Sequence, residues 1–375
     1  MQSISNEVQV FKGLAVEHAL SSKRWGFGQG AALGFFAAAS ILLGSSALAE
    51  GSDPSVRQPK TIRWVLAHEP VRVFERAAKQ FKEQVERESH GTLKVEVLTA
   101  TEFQSKYKVG SKFVTNGGLN DVKLVRAGLA EMTQTYTSEL GSLDKKIWVL
   151  DLPFLFRDHF HAQAVLEGPI GQRLLAGLDQ SKVKAFAFTY SGGYRVISSR
   201  EKRIQSVGDF KGMMIRTSPN PVAQATFRQL GAKPIPMPHD EGIQQVKKGS
   251  IVAAETTVAR FDEAQQRATP IMNDTQHSLF LTAMLMNGKF FSSLSKEHQA
   301  IVERAATAAA RSEREDSLAD EANLRAAFGK SGVKVVRLPD SEVKKMKEIT
   351  RPVYKEFEPL FTRELIAEIQ NAKSN

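Results

Sequence analysis

An α/β fold built on a parallel sheet is what this sequence predicts, and three observations carry that reading. Ile62, Trp64 and Leu66 alternate with Arg63 and Val65, as in a strand. Phe74, Ala77, Ala78, Phe81 and Val85 then recur at helical spacing, and Leu93, Val95 and Val97 alternate again with Lys94 and Glu96. Strand, helix and strand at this pace form a parallel crossover unit. The length of 375 residues suits two domains at roughly 150 residues each.

The remaining elements follow in order. Ser89-His90-Gly91 closes the first helix with a C-cap glycine. The stretch 99–125 offers apolar positions at Phe103, Tyr107, Val109 and Phe113 but is broken by Asn116-Gly117-Gly118. A short buried strand is expected over Ala130–Thr137, then the Pro-containing apolar run Val149–Phe156, a helix over Phe160–Leu178 and a strand over Val183–Thr189. Gly208–Gly212 turns into a strand over Met213–Thr217. Asn220 as N-cap and Pro221 at the first helical position start a helix that Gly231 ends. A Pro-rich strand (Lys233–Pro238), an Asp240-capped helix ended by Gly249 and a strand over Ile251–Glu255 come next. Beyond Ser295 the chain reads as helical: an Ala-rich amphipathic helix over 296–328, then Val343–Ile369, interrupted by Pro352.

Composition excludes several function classes. There is no cysteine, so disulfides, zinc–thiolate sites, iron–sulfur clusters, cysteine nucleophiles and cysteine-linked lipid anchors are out. The balance is basic, 51 Lys and Arg against 41 Asp and Glu, or +10. Those bases are spread along the chain in short runs such as Lys247-Lys248 and Lys344-Lys345, which is not a nucleic-acid footprint.

Lys23-Arg24, the 13-residue apolar run Ala31–Leu43 and Ala47-Leu48-Ala49 have the layout of a secretory signal with cleavage after Ala49. The run is too short to span a bilayer as a helix. Segment 1–49 is therefore expected to be an N-terminal extension plus signal peptide, and the mature protein an exported, periplasmic one. Its loss leaves 48 basic and 39 acidic residues, or +9, in 326 residues.

Arg216 carries the sharpest chemical signal. It stands at the C-terminal end of an expected strand, four residues before a helix N-cap, where open α/β sheets bind ligands and helix N-termini favour anions. A guanidinium there can hold both oxygens of a carboxylate. Arg195, after Gly192-Gly193-Tyr194 near the end of another strand, is a candidate second clamp. His159-x-His161 lacks metal-ligand spacing and reads as a pair of surface histidines; His68-Glu69 could line a cleft but has no third ligand. No nucleophile elbow, P-loop or triad signature occurs, and Gly26-x-Gly28-x-Gly30 does not follow a strand, so neither a catalytic site nor a cofactor is expected. Met284, Met286, Phe290 and Phe291 read as core. Glu313, Arg314, Glu315 and Asp316 read as a solvated helix face.

These pieces together resemble the dicarboxylate-binding type of solute-binding protein of the tripartite ATP-independent periplasmic (TRAP) transporters. The resemblance runs from Thr61 through Phe74-x-x-Ala77-Ala78-Lys79-x-Phe81-x-x-x-Val85, Gly91-x-Leu93-Lys94-Val95-x-Val97 and Leu152-Pro153-Phe154-Leu155-Phe156. It is strongest in Phe210-Lys211-Gly212-Met213-Met214-Ile215-Arg216-Thr217 and Gly231-Ala232-x-Pro234-x-Pro236-Met237-Pro238.

The resemblance implies a two-lobe fold with crossing strands and a long C-terminal helix spanning the lobes. Lobe 1 would comprise 60–190 with about 280–322, and lobe 2 about 191–279 with 323–375. It implies an organic-acid ligand captured by lobe closure and delivered to a TRAP-type integral membrane permease, with no enzymatic step, no cofactor and a possible homodimer. Arg216 matches the family's carboxylate-binding arginine and Arg195 its second arginine. Tyr136, His68, Glu255 and Thr257 would shape the rest of the pocket. Thr257 stands where family members often carry an Asn, in Ala253-Ala254-Glu255-Thr256-Thr257-Val258, and the 99–125 stretch is longer than usual, which points to an altered cleft rim or dimer contact. A periplasmic enzyme acting on an organic acid, and a ligand-presenting partner of a membrane sensor, are the alternative readings.

Overall fold

The computed structural model describes residues 58–66, 71–115, 118–261 and 263–374. The expected signal segment and His68 lie outside the described residues.

Twelve strands are described: β1 (Lys60–Leu66), β2 (Leu93–Thr99), β3 (Val114–Thr115), β4 (Gly118–Leu119), β5 (Met132–Tyr136), β6 (Val183–Ser199), β7 (Met214–Thr217), β8 (Lys233–Pro236), β9 (Ala253–Thr257), β10 (Ile271–Asp274), β11 (Leu279–Asn287) and β12 (Lys334–Arg337). All but the small β3–β4 hairpin join one sheet in the order β2-β1-β5-β11-β6-β9-β7-β8, with β10 beside β6 and β12. The β1–β2 and β7–β8 pairs are parallel, as the crossover pattern requires. The central pairs β5–β11, β11–β6 and β6–β9 are antiparallel, so the sheet is mixed.

The first crossover shows why these residues make these elements. The helical stripe Phe74, Ala77, Ala78, Phe81 and Val85 is at most 2% exposed, on a helix over Val71–Glu88. It meets Trp64, whose ring stands edge-on to Phe81 at 5.1 Å, and the alanine stripe of a 36-residue helix, Lys296–Ser331. Burying a side chain such as Phe81 contributes about 1.5–3 kcal/mol. Ser295 caps the long helix by accepting from the His298 amide, and Gly332 at φ +78° ends it. Met284 and Met286 are core, as expected.

Several expectations are corrected. β6 does not stop at Thr189 but continues to Ser199, because Gly192 and Gly193 adopt φ +86° and +81° and bend the strand instead of ending it. The expected single helix over Phe160–Leu178 is two helices, His159–Glu167 and Pro169–Gly177, because Pro169 starts a second helix at Gly168. Pro352 does not interrupt its helix, which runs Asp340–Phe361; the break comes at Thr362, at φ +67°. The β9 strand lies two residues later than expected, and β10, β11 and β12 were not anticipated. Asp240 is not an N-cap: the helix is His239–Lys247, and Asp240 sits in its first turn.

The acidic and basic group at 313–316 is a solvated face only in part: Glu315 is exposed and Asp316, paired with Arg76, is half-buried. Glu313 and Arg314 are buried, at 0% and 6% exposure. Glu313 accepts from Gln134 Nε2 (2.8 Å), and Arg314 donates to the Phe188 carbonyl (2.6 Å). Nor are both histidines of His159-x-His161 on the surface. His161 is fully buried, accepting from the Arg157 amide and hydrogen-bonded to the Ile369 carbonyl, and His159 is wedged by Tyr190 and Tyr194.

Candidate functional site: an arginine-floored cleft

A cleft of about 1290 Å³ opens where β5, β6, β7, β9 and β11 come together. Tyr136 reaches it from the end of β5, Arg195 from β6, Arg216 from β7, Glu255 from β9 and Phe280 from β11. Sheet register brings them together: Arg195 lies opposite Thr257, two residues after Glu255 in β9, and Arg216 opposite Ala254, one residue before it.

Arg216 is 6% exposed and is held by backbone acceptors: Nε donates to the Met237 carbonyl (2.9 Å) and one terminal nitrogen to the Glu255 carbonyl (3.0 Å). Gly242 is what lets the His239–Lys247 helix lie over it, since a Cβ there would be 2.4 Å from Arg216 Cγ. Burial, opposed by Glu255 and aided by Arg260 and Arg195, presses the Arg216 pKa down to about 9, which still leaves it charged at neutral pH.

Arg195 is 3% exposed, with its guanidinium carbon 3.6 Å from the Phe280 ring centroid and one nitrogen 3.2 Å from a Glu255 carboxylate oxygen. The same carboxylate accepts from Ser218 Oγ (3.1 Å) and its amide (3.2 Å), and lies 3.3 Å from His277 Nε2. Burial acts to raise the Glu255 pKa, but Arg195, His277 and Arg216 overcome it and hold the carboxyl well below the usual range. Glu255 is thus an ionised counter-charge for the arginines rather than a proton donor.

Tyr136 stacks on Phe280, with centroids 4.7 Å apart and planes 13° apart, and its hydroxyl accepts from Arg260 (2.9 Å). Burial raises its pKa. Of the residues singled out in the sequence, Arg216, Arg195, Tyr136 and Glu255 line the cleft; Thr257 does not. The Thr257 side chain is fully buried behind it and donates to the Ser191 carbonyl (3.0 Å), while Thr256 takes the lining position. The helix start expected after Arg216 meets the cleft through Ser218 and Pro219, just ahead of its N-cap, and a second helix start meets it as well. Asn220 caps its own helix and donates to Asp151 (2.8 Å), whereas Pro238, His239, Asp240 and Glu241 line the cleft.

Sequence reasoning missed Arg260, His239, Trp148 and Phe280, all lining residues with no motif to mark them. His239 is pushed well below its ordinary pKa by burial and by Arg260 and Arg216. The long 99–125 stretch supplies rim: its capped helix Ala100–Tyr107, the β3–β4 hairpin and the helix Asp121–Arg126 place Thr115, Leu119 and Lys123 at the opening. Among the described residues no group of histidine and acidic side chains could hold a metal, and no helix is long and apolar enough to cross a membrane.

The mixed sheet, with the long helix as expected, has the two-domain periplasmic-binding fold, and a polar, arginine-floored cleft opens on it. Residues 67–360 match the family described as bacterial extracellular solute-binding protein, family 7, and the chain belongs to that family. A solute-binding protein of Verminephrobacter eiseniae is 31% identical over 261 residues, covering 67% of this chain and 75% of the relative. The C4-dicarboxylate-binding periplasmic protein DctP of Rhodobacter capsulatus is 24% identical over 341 residues, 88% and 96% of the two chains. The crystal structure of the sugar acid binding protein DctPAm of Advenella mimigardefordensis, in complex with galactonate, superposes with a TM-score of 0.74 at 23% identity, over 84% of this chain and 98% of that one.

Proposed function

We propose that this protein captures an organic acid by lobe closure, anchors its carboxylate on Arg216, and delivers it to a TRAP-type membrane permease. The observation that carries the reading is the state of Arg216: buried, charged, and fixed by two carbonyls while facing the cleft. A guanidinium so held is preorganised for a carboxylate, since little of its rotamer freedom remains to be lost on binding. Arg195, braced by Phe280 and Glu255, adds charge beside it, Tyr136 shapes the wall, and Thr257 supports the floor from behind. The relatives that bind a C4-dicarboxylate and galactonate support an acidic ligand.

The lobe division 60–190 with about 280–322, and about 191–279 with 323–375, belongs to the same proposal, as does export with cleavage after Ala49. Intact-mass measurement of the exported protein tests the cleavage. A thermal-shift screen across carboxylates, sugar acids, amino acids and neutral sugars tests the function. An acid at 100 times its Kd adds about 2.7 kcal/mol of stability. A response to neutral sugars alone would overturn the carboxylate reading, and turnover of a bound acid, followed by mass spectrometry, would make the protein an enzyme.

A further inference from the structure

We propose that Trp148 forms a second, apolar subsite at the outer end of the cleft, so that the preferred acid carries an aromatic ring on its chain. The inference rests on the reading of the cleft as a carboxylate site and goes beyond it, to the part of the ligand that bears no charge.

Room is the first support. The cleft of about 1290 Å³ exceeds the roughly 300–1,000 Å³ that houses a drug-sized ligand, so a short acid seated on Arg216 leaves much of it unfilled. The outer end draws its lining from the stretch 115–148. Ser181 joins the two halves of that stretch: its carbonyl accepts from Arg126 Nε (3.1 Å), and its hydroxyl donates to the Leu143 carbonyl (3.4 Å). Leu119 belongs to one hydrophobic cluster, and Leu143 and Trp148 pack against the same cluster.

The second support is how Trp148 is held. Its Nε1 donates to the Ser138 carbonyl (3.0 Å), which occupies the ring's one polar atom. The indole lies directly on the Gly141 backbone, where a Cβ would stand 1.8 Å from Nε1 and 2.0 Å from Cε2. Only glycine allows that approach. The ring is half-buried and lines the cleft. Fixed in this way it loses little freedom on binding, and it offers a flat apolar surface.

The third support is what the neighbouring polar groups do. Thr115 donates to the Gly118 carbonyl and Ser142 to that of Glu139, and Asn120 accepts from the Lys123 amide. Lys123 and Arg126, exposed at the rim, donate to the carbonyls of Lys112 and Ser181. Glu139, also exposed, accepts from Thr135. These side chains are engaged within the protein, and the rest of the lining there is Leu119, Val122, Leu143 and Trp148. The outer end suits a group with no hydrogen bonds to satisfy, and beside an indole that group is an aromatic ring, packed offset or edge-on. A polyhydroxy chain would leave its hydroxyls short of partners there.

Calorimetry on the exported chain with matched acids tests this: phenylacetate against acetate, phenylpropionate against propionate, phenylbutyrate against butyrate, with succinate and galactonate alongside. The expected result is that in at least one pair the aryl acid binds about 10-fold or more tighter than the plain acid. Trp148→Leu brings that ratio below about 3-fold, and Trp148→Phe leaves it between. Equal affinities within every pair, a ratio that the Leu variant leaves unchanged, or binding of succinate or galactonate where no aryl acid binds would overturn the inference while leaving the carboxylate site standing. So would a loss of galactonate affinity in the Leu variant as large as that of the aryl acid. If none of these acids binds, the reading of the cleft falls and this inference with it. The native ratios and the Phe variant decide the matter even where the Leu variant does not fold.

Discussion

The Arg195 guanidinium carbon sits 3.6 Å from the centroid of the Phe280 ring. That contact, with Glu255 at 3.2 Å, fixes a buried cation between an aromatic face and a carboxylate before any ligand arrives. The floor of the cleft is therefore set by the protein's own packing, and each of its parts can be perturbed separately.

Arg216→Lys replaces a planar fork by a point charge. Affinity for the carboxylate ligand is expected to fall about 30-fold, or about 2 kcal/mol, with the fold retained. Calorimetry alongside circular dichroism checks both halves; unchanged affinity would remove Arg216 from the site.

Asp151 is buried beneath the site and accepts from Thr137 and Asn220. Burial pushes its pKa up to about 6, opposed by Arg195. An acid with a raised folded pKa gives up stability as pH rises: between about pH 4 and 6 the folded state holds a proton that the unfolded chain has released. The stability of the native protein relative to Asp151→Asn should accordingly fall by about 2 kcal/mol from pH 4 to pH 7. Urea titrations at the two pH values read the difference, and parallel profiles for the two proteins would contradict it.

Glu313 is raised well above the carboxylate range by burial, against the pull of its hydrogen bonds and Arg314. Its effect has the same sign, stability being greatest at low pH and declining toward the folded pKa. Glu313→Gln keeps an acceptor for Gln134 and removes the ionisation, so stability at pH 7 should be equal to or greater than native. A loss of more than about 2 kcal/mol in chemical denaturation would mean an ionised Glu313 with an essential partner.

Gly192 admits no side chain. A Cβ would stand 2.6 Å from Ala259 Cβ and 2.7 Å from Thr257 Oγ1, at a φ of +86°. Gly192→Ala is expected to cost about 2 kcal/mol or more and to weaken ligand binding by displacing the turn that carries Arg260. Thermal unfolding and calorimetry measure the two effects; native values in both would show that the turn yields.

The parts of this molecule that were legible in the sequence are those where a single local pattern decides the outcome. The stripe from Phe74 to Val85 could only be a buried helix face, Asn220-Pro221 could only start a helix, and Arg216 at the end of the short strand after Gly212 pointed into the cleft. What stayed hidden depends on contacts distant in the chain. Arg260 has no local signature and becomes a cleft residue only because Tyr136, 124 positions earlier, lies across from it. Glu313 sits in a run of charges that looks solvated, and only the approach of Gln134 to the long helix buries it. Thr257 was placed in the pocket by motif position, but its hydroxyl is turned away to Ser191, leaving Thr256 at the cleft. The apolar pattern of that strand stops at Thr189, ahead of Gly192-Gly193, and only the pairing of the residues beyond shows that the glycines bend β6 without ending it.

That bend has a mechanical consequence. β6 is laddered to β11 up to Tyr194 and to β9 from Arg195 onward, so the regular pairing changes partner just beyond Gly192-Gly193. A rotation of one flank against the other falls on the torsions of two residues that have no Cβ, and the rungs on either side keep their partners. Compliance along β6 would be confined to that one short joint, between the arms that carry Tyr190 on one side and Arg195 on the other.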